Sequence, residues 1–506
     1  MNWLAQTVDW LAVAPALVVA VTALVVLLAD LWLPAKWAPT LLIGVGAAGV
    51  SIALLFVGLL WGDPRATFCV GSGETGFASC SYVVNQVTLA FQGIVLVGTL
   101  IVLLLAQADM RAAEARLPAG ETGFLVLASA TGALVLAAGR DLATIIVALE
   151  VVSLPAFALV GLRRRDRRDA EASLTFFIVS VVSVAVMIYG VSLVYGATGA
   201  LHLDRIAVAL ADPAARTSMA GAGVLLTLVG LAFKIGAVPF HFWVPDTYSG
   251  APVVVAAYLA VVSKAAGLVG LVLVVSHGFP SFAGLWGPAV GVLAVLTMTV
   301  GNVAALRQRT AIRLLAWSSV AHAGYLLVPL GVASAGTTGG QLGEAMSATV
   351  AYMAIYAAVN LAAFGVVAVV SRHRPGATLE EYRGLVHTEP VSAVVLGFAL
   401  LALAGLPPGV AGLWAKVVIV DSAISGGAGW LAVAVAINTV IGLVYYLRWT
   451  VILFSSAPDR RAIPSYDIPA ASGLAIGLAM AAGVVLSVLP QLVLGLAEAS
   501  SLLLSP

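Results

Sequence analysis

Apolar runs of about 20 residues or longer recur along the whole chain, divided by short polar, proline or glycine punctuation. As helices, at 1.5 Å per residue, such runs match the hydrocarbon thickness of a bilayer. Strands of a membrane barrel would instead alternate in segments of about ten residues. Only 9% of the 506 residues are charged and 62% are hydrophobic, where a soluble domain carries about 25% charged residues. The expected fold is an all-α polytopic membrane protein. Its spans are expected at 10–32, 37–61, 83–107, 122–139, 142–162, 172–196, 218–242, 251–275, 282–303, 312–334, 345–371, 390–422, 428–454 and 468–496, with ends good to about 2–4 residues. No basic leader or small-residue cleavage site precedes the first run, so it reads as a retained helix. A net charge of +1, with no basic stretch interleaved with aromatics, gives no sign of nucleic-acid binding.

The basic residues test this layout. With fourteen spans both termini lie on one side and the loops alternate. One set of loops or span ends holds Lys36, Arg111, Arg116, Arg163, Arg164, Arg165, Arg167, Arg168, Arg307, Arg309, Arg313, Arg372, Arg374, Arg383, Arg448, Arg460 and Arg461. The other holds only Arg65, Arg140, Arg205 and Arg216, a ratio of 17 to 4. Positive charge collects on the cytoplasmic side, so both termini are expected outside, in a multi-pass protein of a bacterial plasma membrane.

Lys234, Lys264 and Lys416 are the basic residues left over, and each falls inside a span. The chain has four lysines and twenty arginines, yet every arginine lies in a loop or near a span end. A cation at the bilayer centre costs roughly 3 kcal/mol or more on insertion scales. Arginine keeps its charge at any usable pH, whereas a desolvated lysine can give up its proton. The choice of lysine suits proton handling. Lys234 precedes Pro239 in FKIGAVPFHFWVPDTYSGAP, and Lys416 follows Pro407 and Pro408 in GLPPGVAGLWAKVVIV. Proline bends a helix and frees a carbonyl, and irregular backbone at membrane depth survives only inside protein or beside a wet cavity. Two broken helices in separate halves, each with a lysine, indicate two inverted five-helix repeats. The expected division is 1–121 for helices 1–3, 122–275 for the first repeat, 282–454 for the second, and 455–506 for the last helix.

Glu150, in ALEVVSL, is the one acidic residue near the centre of an unbroken span. It reads as the charge partner of Lys234; the structural alternatives are a neutral acid bonded to a neighbouring helix, or a fixed ion pair. Lys264 lies mid-span after Ser263, too deep to snorkel, and should face the bundle interior. His241 in the first break and His322, with Ser318, Ser319 and Tyr325 around it, are secondary proton carriers or hydrogen-bonded structural histidines. Asp246 and Tyr248 read as surface structure at the mouth of the break. The run RRRDRRDAE at 163–171 reads as an orientation signal, and Asp30 as interfacial. Cys69 and Cys80, the only cysteines, share an outside loop and either pair or remain two thiols. No G-x-x-x-x-G-K-[ST], C-x-x-C or H-E-x-x-H occurs, and nothing points to a haem, an iron–sulfur cluster or a metal.

FKIGAVPFHFWVPDTYSGAP resembles the proton-translocating antiporter-like subunits of respiratory complex I, a family shared with cation/proton antiporters. ALEVVSL, RLLAWSSVAHAGY at 313–325 and LAGLPPGVAGLWAK at 403–416 fit the same family in the same order. The form F-H-F-W-V-P-D-x-Y-x-G-A-P is most similar to the N branch, since the M and L branches more often read F-H-x-W-L-P-x-A. The resemblance spans the whole chain. It implies that Glu150 and Lys234 form an input pair, that Lys264 connects, and that Lys416 serves the second half. M usually has glutamate at that last position. One departure stands out: the family's Thr-Ala-Gly-Phe after the double proline is Gly409-Val-Ala-Gly-Leu413 here. Two small residues remain, so the break should be kept.

The resemblance implies a membrane subunit of NADH:quinone oxidoreductase with no cofactor of its own. NADH, FMN, iron–sulfur clusters and quinone would belong to partner subunits. Its neighbours would be the lipid bilayer and other membrane subunits, including the paralogous M and the small K. In this reading a charged, nearby Glu150 keeps Lys234 protonated; when that interaction weakens, the proton moves toward Lys264 and Lys416. The rivals are a subunit of a multi-subunit sodium/proton antiporter, a passive scaffold that tolerates replacement of all three lysines, and a small-molecule carrier.

Overall fold

The computed structural model describes residues 8–71, 79–111, 117–163, 167–334, 336–374, 376, 378–456 and 466–492. Arg116, Arg164, Arg165, Arg460, Arg461 and the end of the last span lie outside them. In chain order the helices are α1 (Trp10–Asp30), α2 (Ala38–Leu59), α3 (Gln86–Arg111), α4 (Ala119–Ala138), α5 (Leu142–Val160), α6 (Arg167–Thr198), α7 (Leu203–Ala211), α8 (Ser218–Ile235) and α9 (Trp243–Gly250). There follow α10 (Val253–Gly278), α11 (Ala283–Leu306), α12 (Ala311–Leu327), α13 (Gly339–His373), α14 (Pro390–Ala404), α15 (Ala411–Ser425), α16 (Gly429–Phe454) and α17 (Ala470–Val488). Twelve helices among the described residues are long and apolar enough to cross a membrane. The 17-residue α12 and the broken pair α14–α15 occupy the remaining two expected spans. The fold is therefore the expected helical membrane bundle, with fourteen an approximate count.

Local chemistry sets the helix starts. Asp9 accepts from the amides of Leu11 and Ala12, Asp141 from that of Thr144, and Thr217 from that of Ala220. Thr338 and Gln341 close a reciprocal capping box on α13. α10 is buried along its length, as expected of a central helix. Two π-helical turns, Leu259–Ser263 and Val274–Gly278, interrupt it, and Lys264 follows the first directly. The α2 run Gly44-Val-Gly-Ala-Ala-Gly49 has the letters of a dinucleotide fingerprint. It lies inside a transmembrane helix, not between a strand and a helix start, and so lacks the context that fingerprint needs. Gly49 serves packing: a Cβ there would stand 2.1 Å from Thr22 Oγ1.

Three details differ from the sequence reading. First, the loop after α2 is an antiparallel hairpin, β1 (Arg65–Val70) and β2 (Ser79–Val84), in which Cys69 and Cys80 face each other and form a disulfide. Second, HFWVPDTYSG is largely helix α9, and its apolar side is core: Tyr248 is buried between Trp243 and Phe364 instead of lying at the surface. Asp246 does lie at the surface, paired with Arg313 at 3.1 Å. Third, the first break begins at Gly236, so Lys234 sits in the last turn of α8, not midway along its span.

Polar contacts separate into two sets, matching the alternation of loops. In one, Arg65 pairs with Asp9, Ser79 donates to Asp204, Arg205 donates to the Val70 carbonyl, and Tyr82 bridges to Gly139. In the other, Arg163 holds Asp169 and the Gly250 carbonyl, Arg372 holds Asp109, and Thr310 bridges to Thr378. None of these contacts joins the two sets.

Candidate functional site

The two breaks share one design. α8 ends on Gly236 at φ 82°, and α14 ends on Gly405 at φ 88°. These left-handed values favour glycine. The next amide after each glycine bonds back into its helix, Ala237 to the Ala232 carbonyl at 2.9 Å and Leu406 to that of Leu401 at 2.8 Å. Three residues past each glycine stands a proline with a cis bond, Val238–Pro239 and Pro407–Pro408. Outside groups satisfy the backbone that the breaks release. Trp243 Nε1 donates to the Phe233 carbonyl at 3.1 Å, and Thr297 Oγ1 accepts from Val238 N at 3.0 Å. In the second break Ser487 Oγ accepts from Ala411 N at 3.1 Å.

Lys234 is 2% exposed. Its Nζ donates to Ser153 Oγ of α5 at 3.0 Å and lies 5.9 Å from the Phe176 ring centre. Gly267 of α10 makes room for its stem: a Cβ there would stand 2.9 Å from Lys234 Cβ. Ser153 passes its own hydrogen to the Leu149 carbonyl at 2.7 Å. Glu150 lies three residues before Ser153 on the same helix, so the two side chains are surface neighbours. It is half-buried, its Oε1 has no hydrogen-bond partner, and it forms no ion pair with Lys234 within 4.0 Å. The serine hydroxyl makes the direct hydrogen bond to Lys234, and Glu150 stands beyond ion-pair distance as a neighbouring acidic group.

Lys264 is also 2% exposed. Its Nζ donates to the Ser319 carbonyl of α12 at 2.5 Å and sits 5.6 Å from the Tyr356 ring centre. Ser319 Oγ meets Tyr356 OH at 2.9 Å, and Asn360 donates to the same phenol at 3.2 Å. One turn along α12, His322 is 4% exposed and bonded on both ring nitrogens. Nδ1 meets Tyr352 OH at 2.9 Å and Nε2 meets Tyr446 OH at 3.1 Å. Tyr446 OH also meets Ser318 Oγ at 2.5 Å.

Lys416 reaches back across the second break. Its Nζ donates to the carbonyls of Ala404 at 2.6 Å and Leu403 at 3.2 Å, the end of α14, and lies 5.7 Å from the Tyr325 ring centre. A cation suits that position, because the last carbonyls of a helix carry partial negative charge. Gly409 and Gly412 are the two glycines that follow the prolines. A Cβ on Gly412 would stand 1.7 Å from the Ala402 carbonyl oxygen, so only glycine lets α15 rest on the end of α14.

The structure thus brings Lys264, His322 and Lys416 to one polar seam. Lys234 with Ser153 forms a second group, in which Gly267 ties Lys234 to the helix that carries Lys264. His241 stays outside both: it is half-buried, its Nδ1 has no partner, and its ring lies 5.4 Å from that of Trp317. Pro239 is exposed. Sequence reasoning missed Ser153, Tyr352, Tyr356 and Tyr446. The four-residue spacing of Tyr352 and Tyr356 on an otherwise apolar helix was an available signal.

Comparison with known proteins places this geometry. Residues 139–442 match the family model described as NADH:quinone oxidoreductase/Mrp antiporter, TM. NADH-quinone oxidoreductase subunit N 2 of Streptomyces griseus is 53% identical over 98% of this chain and 94% of its own length. NADH-quinone oxidoreductase subunit N of Salinispora tropica is 46% identical over 91% and 88% of the two chains. Among solved structures, a chain of respiratory complex I from Thermus thermophilus with bound aureothin is 31% identical, with a TM-score of 0.77 over 95% of this chain and 98% of that one. A chain of the Mrp complex from Dietzia has a TM-score of 0.80 over 98% of this chain and 97% of that one, but only 20% identity, a likeness of fold alone. The broken-helix bundle, its buried lysines and the full-length identity agree: the chain belongs to the subunit N family of NADH-quinone oxidoreductase, within the antiporter-like membrane subunits.

Proposed function

We propose that this membrane subunit of NADH-quinone oxidoreductase moves protons along Glu150, Lys234, Lys264 and Lys416, with His322 between the last two and His241 as an accessory group. One observation carries the reading. Lys234, Lys264 and Lys416 are all buried, and none has a carboxylate within 4.0 Å among the described residues. Buried unpaired charge is strongly unfavourable, so it marks a site where charge is meant to change. Hydroxyls and carbonyls hold each ammonium without neutralising it. The chain carries no redox step; NADH, FMN, iron–sulfur clusters and quinone belong to partner subunits. Those subunits include the paralogous M and the small K, and electron transfer in the complex reaches this chain as a change of field or hydration near Glu150 and Lys234.

The matched breaks support reading 122–275 and 282–454 as the two repeats, flanked by 1–121 and 455–506. The arginine bias supports a plasma-membrane orientation with both termini outside. The disulfide of the hairpin supports the same side, since disulfides persist in oxidising compartments.

The test is Lys234→Met in the intact complex. Assembly should persist while NADH-driven proton pumping is lost, with Glu150→Gln acting in the same direction. Normal pumping by an assembled Lys234→Met complex would overturn the role and leave the scaffold reading standing.

A further inference from the structure

The Lys234 ammonium has three N–H donors, and among the described residues its hydrogen-bond acceptor is Ser153 Oγ at 3.0 Å. Glu150 stands beyond ion-pair distance, and the lysine is 2% exposed. The charge therefore needs a further source of negative potential. The face of an aromatic ring is one, because its quadrupole is negative above and below the plane. Phe176 of α6 is fully buried, and its ring centre lies 5.9 Å from Lys234 Nζ. That is within the reach of about 6 Å over which a ring attracts a cation.

Two aromatic neighbours hold this ring. Trp243 of α9 stacks on it, with centres 4.4 Å apart and planes 14° from parallel. Phe157 of α5 meets it edge-to-face at 4.8 Å and 86°. Phe157 follows Ser153 by one helical turn, so one face of α5 supplies both the hydroxyl on Lys234 and this ring contact. Trp243 Nε1 also donates to the Phe233 carbonyl at 3.1 Å, and Phe233 immediately precedes Lys234. One indole thus fixes the ring and the last turn of α8 together, across the first break. The adjacent Phe177 is 42% exposed and lies 5.6 Å from Phe157, outside this arrangement.

We propose that Phe176 is a positioning residue for Lys234: its ring face, clamped by Trp243 and Phe157, holds the ammonium in place where no carboxylate reaches it. The proposal rests on the reading of Lys234 given above. A contact of this kind, shielded from water, shifts an equilibrium of the charged group by about tenfold or more.

Fluorinated phenylalanines in place of Phe176, in the intact complex, test this. Successive fluorines drain the negative ring face while changing its size little. Assembly is read by native electrophoresis, NADH oxidation by absorbance, and proton uptake in inside-out vesicles. From 4-fluoro through 3,5-difluoro to 3,4,5-trifluorophenylalanine the proton yield per NADH should fall stepwise, to about a tenth of the parent value. Phe176→Met, which fills similar space without a ring, should fall as far. The same series at Phe91, equally buried and with no cation over its ring among the described residues, should keep the parent yield. A fall at both positions overturns the proposal, as does a fall at neither while Lys234→Met abolishes pumping. If Lys234→Met pumps normally, the lysine reading itself has failed. Loss of assembled complex with 4-fluorophenylalanine at Phe176 assigns the ring to packing and likewise overturns the proposal.

Discussion

Replacing Gly412 by alanine tests whether the second break is held by backbone contact. The new Cβ would stand 1.7 Å from the Ala402 carbonyl oxygen, and real Cβ contacts essentially never fall below 3.0 Å, so α15 must retreat by about 1.3 Å. The obstacle is backbone, which no side-chain rotation can relieve. A retreat of that size directed along its bonds would take Lys416 Nζ to at most about 3.9 Å from the Ala404 carbonyl and about 4.5 Å from that of Leu403, both beyond hydrogen-bonding distance. Overpacking of this kind costs about 1–3 kcal/mol, and each lost bond to a charged group adds about 1.5–3 kcal/mol. The assay compares thermal loss of assembled complex and proton yield per NADH in Gly412→Ala with those in Gly477→Ala, a site with nothing within 4 Å of its new Cβ. Gly412→Ala should melt earlier and pump poorly, while Gly477→Ala should match the parent. A Gly412→Ala complex as stable and as active as the control would refute the packing argument.

Other expectations follow from the loops. Opening the Cys69–Cys80 bridge, across a separation of 11 residues, should lower the stability of the hairpin by about 3 kcal/mol on the loop-entropy account. In Cys69→Ser an impermeant maleimide should label Cys80 on intact cells, and labelling only from the cytoplasmic side would refute the orientation. Asp169 is fully buried beneath Arg163, with 2.6 Å bonds, and the same arginine holds the Gly250 carbonyl at 2.8 Å. Asp169→Ala should cost about 3–5 kcal/mol, read as reduced assembled complex, whereas Arg383→Ala, at the exposed pair with Glu380, should cost about 0–1 kcal/mol. The Thr378 amide, donating at 2.6 Å, is the chief reason the Glu381 carboxyl lies below its ordinary value of 4.5. A lowered carboxyl contributes stability that is present above the unfolded value and is lost as pH falls through the folded one. The protection of the Thr378 amide, its exchange rate relative to that of a free amide at the same pH, should therefore fall on acidification below about pH 4.5, and Glu381→Gln should remove that dependence.

The sequence alone determined the membrane class, the approximate number of spans, the position of both breaks and the three lysines within them. The physical reason is solvent: in hydrocarbon an apolar run of the right length must be a helix, and a lysine or double proline inside one stands out against it. The same logic read the alternation of arginines as alternation of loops. It did not reach the partners of the lysines. Ser153 and Tyr446 are polar residues cheap enough to occur anywhere in a transmembrane helix, so nothing in the linear pattern marks them, and Tyr352 and Tyr356 leave only their four-residue spacing as a trace. The hairpin escaped for a related reason, since its disulfide needs two strands in register and a cysteine spacing cannot supply that. Only the tertiary structure decided that Ser153 makes the hydrogen bond to Lys234, that Lys416 caps the helix on the far side of its break, and that Gly412 allows it to. These are contacts between helices distant in sequence, fixed by how closely two backbones can approach.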